Sequence, residues 1–445
     1  MISVIFLSIF LLLTVAASLA GVLSLAEKEK RAAGIFFALM LIFFLPPILS
    51  FAGLITSFTE ILLLVVMTST ILLLFFPFSG TKHIKAGTPK SRIDERQTMF
   101  SRAELEPESK RYKTFYKDHP GLEETDRMWR KNPGLGSTNS RHYRPLAFAS
   151  AQASFQVIAN NRQFRHFSAE TQAGKMDSES TGIYIRHWLS LLGAFDSGVC
   201  KTRGYHWYSQ KGRGPDYGKD ASLDHTHAIA FLLPMDKKMV DTAPHAPTMT
   251  ESARQYAGSG TIALQLASFI SRLGYEATAH IDGAYNMVLP LVAADAGLGT
   301  IGRMGILMHR RLGPRCRIAV VSTNMPLPVS RKQTDKSLLD FCRLCKKCAL
   351  VCPSAAIPGS GRKEISGSLR WQINQESCYS YWTKAGTDCA RCMAVCPYSH
   401  ENNLLHRFIR FGIRNNLIFR KFAVTMDDVF YGKKPGRKAS GIFDK

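Results

Sequence analysis

The chain has 445 residues, with 57 Lys and Arg against 34 Asp and Glu and a formal net charge of +23. That length carries two or three domains with sizeable cores, and eight of the ten cysteines lie between positions 342 and 396, which speaks for a reducing compartment and against a disulfide framework. The positive charge would suit nucleic acid, but the basic residues are scattered or border apolar segments and no nucleic-acid-binding motif is visible. A membrane-apposed surface accounts for it better, and no nucleic-acid partner is expected.

Three apolar segments, 2–26, 33–54 and 61–78, open the chain. The first two are long enough to cross a bilayer as helices, and the third lies near the short limit of about 17 residues. Pro46 and Pro47 predict a kink or break in the second. The first segment lacks a basic leader, two further spans follow it and no twin-arginine signal precedes it, so it reads as an anchor. Lys28, Lys30 and Arg31 separate the first two segments, none lies around 56–60, and Lys82, Lys85, Lys90 and Arg92 follow the third. The positive-inside rule therefore predicts a multi-pass protein of the cytoplasmic (inner) membrane, in contact with lipid, with its body facing the cytoplasm. The anchor spans 1–80.

Residues 81–143 turn polar, with recurring aromatics, and read as an ordered arm of short helices in which Arg92, Asp94, Glu95 and Arg96 form a local ion-pair network. From 144 to 335 the pattern is that of an α/β layer domain. A helix is expected at 183–195, a half-buried strand at 225–233, a long helix at 254–273 interrupted at Gly258 and Gly260 and closing at Gly274, and a strand at 315–322. Gly297, Gly299, Gly302 and Gly305 allow close backbone approach to a ligand, but their spacing is not a dinucleotide fingerprint. His225 and His227 read as polar residues at a strand start.

Residues 336–400 hold two cysteine runs. Cys342, Cys345, Cys348 and Cys352 have the C-x2-C-x2-C-x3-C-P spacing of bacterial ferredoxins, in which the fourth cysteine ligates the other cluster. Cys378, Cys389, Cys392 and Cys396 form a longer-gapped version, again closed by Pro. Soft thiolates suit iron–sulfur iron. The crossing rule assigns one 4Fe–4S cluster to Cys342, Cys345, Cys348 and Cys396, and the other to Cys378, Cys389, Cys392 and Cys352. Structural zinc is the bland alternative. Residues 401–445 begin with a basic amphipathic stretch, 404–422, expected to pack across the cluster domain with its basic face toward lipid, and end in a tail from 432 that reads as flexible.

Four stretches resemble the catalytic subunit of corrinoid-dependent reductive dehalogenases: RIDERQTMFSR, LVAADAGLGTIGRMGILMHRRLGPRCRIAVVSTNMPL, CYSYWTKAGTDCARCMAVCP and MDDVFYG. The third, with Tyr381, Trp382 and Gly386, separates the chain from generic ferredoxins. The resemblance implies a nitroreductase-like α/β core at 144–335 that binds base-off cobalamin, beside a ferredoxin-like domain with two 4Fe–4S clusters, all preceded by three transmembrane helices. It implies an oxidoreductase that replaces halogen by hydrogen on an organohalide using Co(I) cobalamin, with electrons from a quinol, ferredoxin or flavoprotein. By the same resemblance Tyr256 is the proton donor and Arg317 its activating cation, with Arg315 two residues away. Gly297, Gly299, Gly302 and Arg303 are the candidate cofactor contacts, and either Asp282 or Asn286 would line the substrate site. The chain lacks a D-x-H-x-x-G corrinoid motif, so neither His225 nor His227 is expected to ligate cobalt. Two other readings compete: an epoxyqueuosine reductase-like enzyme of tRNA maturation, and a membrane iron–sulfur electron-transfer subunit without its own catalysis.

Overall fold

The computed structural model describes residues 2–434, apart from 83, 86, 173 and 175, together with residue 441. Most of the tail expected to be flexible lies outside the described residues. The chain divides into two compact units: one made of 1–83 and 402–434, the other essentially of 84–401.

The first unit contains three helices long and apolar enough to cross a membrane: α1 (Ile2–Ala26), α2 (Lys30–Phe51) and α3 (Ser57–Phe75). The helix α2 runs on through Pro46 and Pro47 instead of breaking. Both prolines lie within its last six residues, so few hydrogen bonds beyond them are at stake. Glu60, at the start of α3, is buried and accepts hydrogen bonds from Ser3 of α1 at 2.8 Å and from Ser50 of α2. One carboxylate thus ties three helices, as buried polar groups in apolar bundles do.

The basic C-terminal stretch differs from expectation. Its two helices, Leu404–Asn415 and Leu417–Tyr431, group with the apolar helices. The hinge between them is Asn416, whose side chain caps the second helix at Phe419 N (2.7 Å) and donates to the Leu73 and Phe76 carbonyls at 3.0 and 2.7 Å. It satisfies orphaned groups at a helix start and at the end of α3 together. The Phe75 ring lies 4.8 Å from Phe408 and 5.1 Å from Phe419, and Phe36 lies 4.7 Å from Phe430.

The second unit holds a five-stranded antiparallel sheet. In chain order its strands are β1 (His166–Phe167), β2 (Asp196–Lys201), β3 (His227–Pro234) and β4 (Ala277–His280). After the hairpin β5 (Thr300–Ile301) and β6 (Leu307–Met308) comes β7 (Cys316–Thr323). The sheet order is β1-β4-β7-β3-β2. Alternation along β3 builds two cores. Ile229, Phe231 and Leu233 face one cluster with Leu266 and Ile270 of the long helix, while Ala228, Ala230 and Leu232 face another with Val292 and Ala293.

The long helix runs unbroken over Ala246–Arg272, starting earlier than expected. Gly258 and Gly260 do not interrupt it. A Cβ at Gly260 would stand 2.5 Å from Ile158 Cδ1, and one at Gly258 would stand 3.2 Å from Leu233 Cδ2, so these glycines admit close neighbours on two sides. Gly274 ends it at φ +88, as expected.

The arm is ordered into short helices, but of the four residues expected to form a local network only Arg96 and Asp94 pair with each other (2.8 Å). Arg92 reaches Asp220 at 3.0 Å and Glu95 reaches Arg213 at 2.8 Å. Its deepest tie is Asp126, wholly buried, which accepts from Arg102 at 2.7 and 2.9 Å, from Tyr116 at 2.6 Å and from Trp129 at 2.9 Å. Arg102 also holds Glu376 of the cluster region at 2.7 Å.

Breaking a buried pair leaves a charge uncompensated and costs about 3–5 kcal/mol, whereas an exposed pair contributes about 1 kcal/mol or less. Asp126→Ala is therefore expected to destabilise the arm by about 3–5 kcal/mol, and Asp220→Ala, whose partner Arg92 is partly exposed, by about 1 kcal/mol or less. Denaturant unfolding followed by Trp fluorescence checks the contrast.

Candidate active site

The strand β7 and the long helix bring the two expected residues together. Arg317 has the same strand parity as Ala319 and Val321, which pack on the helix side of the sheet. Its guanidinium carbon stands 3.8 Å from the centroid of the Tyr256 ring, and its Nη2 donates to Ser252 Oγ, one helical turn before Tyr256, at 2.5 Å. Its Nε has no partner among the described residues. Arg315, just before the strand, is consumed elsewhere, donating to the Ser399 carbonyl at 2.7 Å and the Met235 carbonyl at 2.6 Å.

Tyr256, Tyr285 and Arg317 are each mostly buried but keep some accessible surface. Burial pushes the Tyr256 phenol up to about 12, with Arg317 pulling the other way. The phenol therefore keeps its proton at neutral pH, and the cation beside it stabilises the phenolate once the proton is given up. The Phe155 ring lies 5.9 Å from that of Tyr256.

Of the two candidates in HIDGAYN, Asp282 faces this site and Asn286 does not. Asp282 interacts electrostatically with Tyr256 and Arg317, accepts from Tyr285 Oη at 3.3 Å and lies 3.8 Å from Arg162. Asn286 is fully buried and donates to the Ala221 carbonyl at 2.8 Å. Tyr285 and Asp388 were missed by sequence reasoning. Tyr285 sat unremarked in the same turn, and nothing in a sequence marks Asp388 beyond its place before Cys389. Burial raises the Asp388 carboxyl, opposed by its hydrogen bond with Ser252 and by Arg317. Asp388, Ser252, Arg317 and Tyr256 thus form one contiguous polar chain that starts beside a cysteine of the second run.

The cysteines fall into two electrostatic neighbourhoods. Cys396 interacts with Cys342, Cys345 and Cys348. Cys389 interacts with Cys378 and Cys352, and Cys392 joins that set while also sensing Cys348. Burial pushes the Cys348 and Cys389 thiols up to about 12, so metal is needed to draw out their protons. Among the described residues no three His, Cys, Asp or Glu converge on a single-ion site. An iron–sulfur cube is wider than one ion and spreads its thiolates accordingly. Short left-handed turns at Lys346 (φ 56) and Ala390 (φ 45) curl each C-x2-C loop inward.

The glycine stretch has a different task from the one expected. A Cβ at Gly297 would meet the Arg331 carbonyl oxygen at 2.6 Å, one at Gly299 the Met308 carbonyl oxygen at 2.5 Å, and one at Gly302 Met308 Cγ at 2.7 Å. These glycines admit the chain's own backbone and hairpin, leaving no open cradle. Arg303 is likewise taken up by the loop of the first cysteine run, donating to the carbonyls of Cys342, Pro358 and Ser360 at 2.9, 2.6 and 2.8 Å. Arg165 Nη1, Gln210 Oε1, Asn286 Oδ1 and Arg317 Nε are among the buried polar atoms with no partner among the described residues. His225 and His280 share Ser322 Oγ at 2.8 and 2.9 Å and serve the sheet.

Residues 341–400 match the family model of the 4Fe-4S dicluster domain. A tetrachloroethene reductive dehalogenase of Sulfurospirillum multivorans is 35% identical over 226 residues, 49% of this chain and 44% of that enzyme. The chain therefore spans less than half the length of that curated relative. A catabolic reductive dehalogenase solved with 3-bromo-4-hydroxybenzoic acid has a TM-score of 0.63 at 21% identity, covering 80% of this chain and 50% of that one. A reductive dehalogenase whose structure suggests a mechanism for B12-dependent dehalogenation gives 0.61 at 21% identity, with the same coverage. The chain is thus similar to reductive dehalogenases in sequence over about half its length and in fold over most of it, and residues 341–400 match a 4Fe–4S dicluster domain.

Proposed function

We propose that the chain is a membrane-anchored reductive dehalogenase replacing halogen by hydrogen on an organohalide, aromatic in our reading. The observation that carries the proposal is the Arg317 guanidinium stacked on a buried, protonated Tyr256, joined through Ser252 to Asp388 beside Cys389. The overall reaction takes an organohalide, two electrons and one proton to the hydrogenated product and halide ion. A bound corrinoid would supply the reducing centre for the carbon–halogen bond.

The chain's own residues do the rest. Tyr256 gives its phenolic proton to the carbon losing halide, and the phenolate left behind is held by Arg317 until water reprotonates it. A phenol this reluctant to ionise suits a strongly basic, carbanion-like acceptor. The rings of Phe155, Tyr256 and Tyr285 suit a flat substrate, and the brominated hydroxybenzoate bound by a structural neighbour supports that class. Two clusters on the eight cysteines pass electrons from a quinol, ferredoxin or flavoprotein. The lysines and arginines flanking α1–α3 support a multi-pass anchor in the cytoplasmic membrane with the body inside.

Tyr256→Phe is expected to lower dehalogenation about 10²–10⁴-fold with corrinoid content unchanged; full activity in that variant would refute the proton-donor role. Because Arg317 holds the Tyr256 pKa down, Arg317→Gln should move phenol ionisation, read by ultraviolet difference titration, to higher pH than in the unmodified protein. For the clusters, Cys396→Ala should share the electron paramagnetic resonance phenotype of Cys345→Ala and differ from that of Cys392→Ala. Grouping of Cys396 with Cys392 instead would contradict the crossed ligation.

A further inference from the structure

Arg303 is almost wholly buried, yet every hydrogen bond it makes goes to a carbonyl oxygen: Cys342, Pro358, Ser360 and, at 3.4 Å, Arg343. Its guanidinium also lies 4.7 Å from the ring centroid of Trp371. A buried cation requires a countercharge. The ionisable groups that face it are the thiols of Cys348, Cys342 and Cys345, three members of the first cysteine set. Gly302, next in the chain, would place a Cβ 3.6 Å from Cys342 Sγ, so this stretch lies directly against that set. Of the carboxylates nearby, Asp335 interacts with Cys342 and caps the following helix through Ser337 and Leu338 N, and buried Asp340 is paired with Arg343 at 2.8 Å.

The second set is surrounded differently. Arg391 interacts with Cys389 but is only half-buried, where water screens it, and the acid Asp388 adjoins the same cysteine.

We infer that the cluster bound by Cys342, Cys345, Cys348 and Cys396 is the countercharge of Arg303, and that this buried guanidinium raises its reduction potential above that of the other cluster. The inference rests on the two-cluster reading. A cluster gains one negative charge on reduction, and a fixed positive charge in a poorly screened site favours the more negative state. The easier cluster to reduce then holds one electron while a second arrives, which a two-electron reaction fed by one-electron carriers needs.

The test is a reductive titration of anaerobically purified full-length protein, followed by electron paramagnetic resonance, with iron content measured alongside. Arg303→Gln should lower the midpoint of the first cluster by at least 59 mV, a tenfold fall in its reduced-to-oxidised ratio at fixed potential. Arg303→Lys, which keeps the charge, should stay near the unmodified value. An unchanged midpoint in Arg303→Gln with both clusters intact would overturn the inference. Should that variant lose the cluster, the unmodified protein still decides: the signal altered by Cys345→Ser must be the one that titrates at the higher potential, and the reverse order overturns the inference. Unmodified protein lacking two clusters' worth of iron would instead sink the two-cluster reading.

Discussion

A guanidinium taken out of water must find negative charge, and the body of this protein is organised around that constraint. Arg102 finds it in Asp126 and Glu376, fastening the arm to the helix that carries Cys378. Arg213 finds it in Glu95, closing the arm over the loop before β3. Arg317 stands over an aromatic face beside Asp282 and Asp388, so its charge is shared between a phenol and two carboxyls. Among the described residues Arg303 has carbonyl dipoles, the Trp371 ring and cysteines but no carboxylate. The four sites share one chemistry, but only the first two are completed by the chain's own carboxylates alone. The last two are the places where a bound group or a passing charge completes the electrostatics.

That difference separates structure from function in the body. A closed pair such as Arg102–Asp126 contributes rigidity and responds to nothing. In the reaction we propose, the Arg317–Tyr256 stack lies where a proton moves, and the guanidinium favours the phenolate without pulling the phenol below its ordinary range, because burial works harder in the opposite direction. The acid stays loaded and the cation acts only when the proton leaves. Asp388 and Ser252 place this pair in the same polar chain as the backbone that presents Cys389, so the cluster loop and the proton donor are positioned by one set of contacts.

What the sequence made legible was what is local. The x2 cysteine gaps and the closing prolines are short-range geometry, and in the structure Cys396 neighbours Cys342, Cys345 and Cys348 while Cys389 neighbours Cys378 and Cys352. The apolar lengths of α1–α3 and the alternation in β3 and β7 are also local periods, and they were readable to within a few residues. Tyr256 and Arg317 were not readable from any period; the family resemblance named them, and the fold brings them within 3.8 Å. Long-range choices failed. Gly258 and Gly260 looked like breaks because a sequence does not show that Leu233 and Ile158 press against them. Arg92 and Glu95 looked like partners of their neighbours, whereas folding brought Asp220 and Arg213 closer. Arg303 sat in a glycine-rich stretch that invited a ligand, yet its fork closes on the cluster loop. The basic C-terminal helices were misplaced because Asn416 recognises the end of α3 through backbone carbonyls, which carry no sequence signal.

The central claim is that electrons from two iron–sulfur cubes meet a corrinoid inside the α/β lobe. Its most direct test is the absorption spectrum of full-length protein, purified without oxygen, reconstituted with iron, sulfide and cobalamin, and freed of unbound cofactor. The account predicts corrinoid bands in a one-to-one ratio to protein, superimposed on the broad absorption of two 4Fe–4S clusters. Iron–sulfur absorption with no retained corrinoid would contradict it and leave a tethered electron carrier.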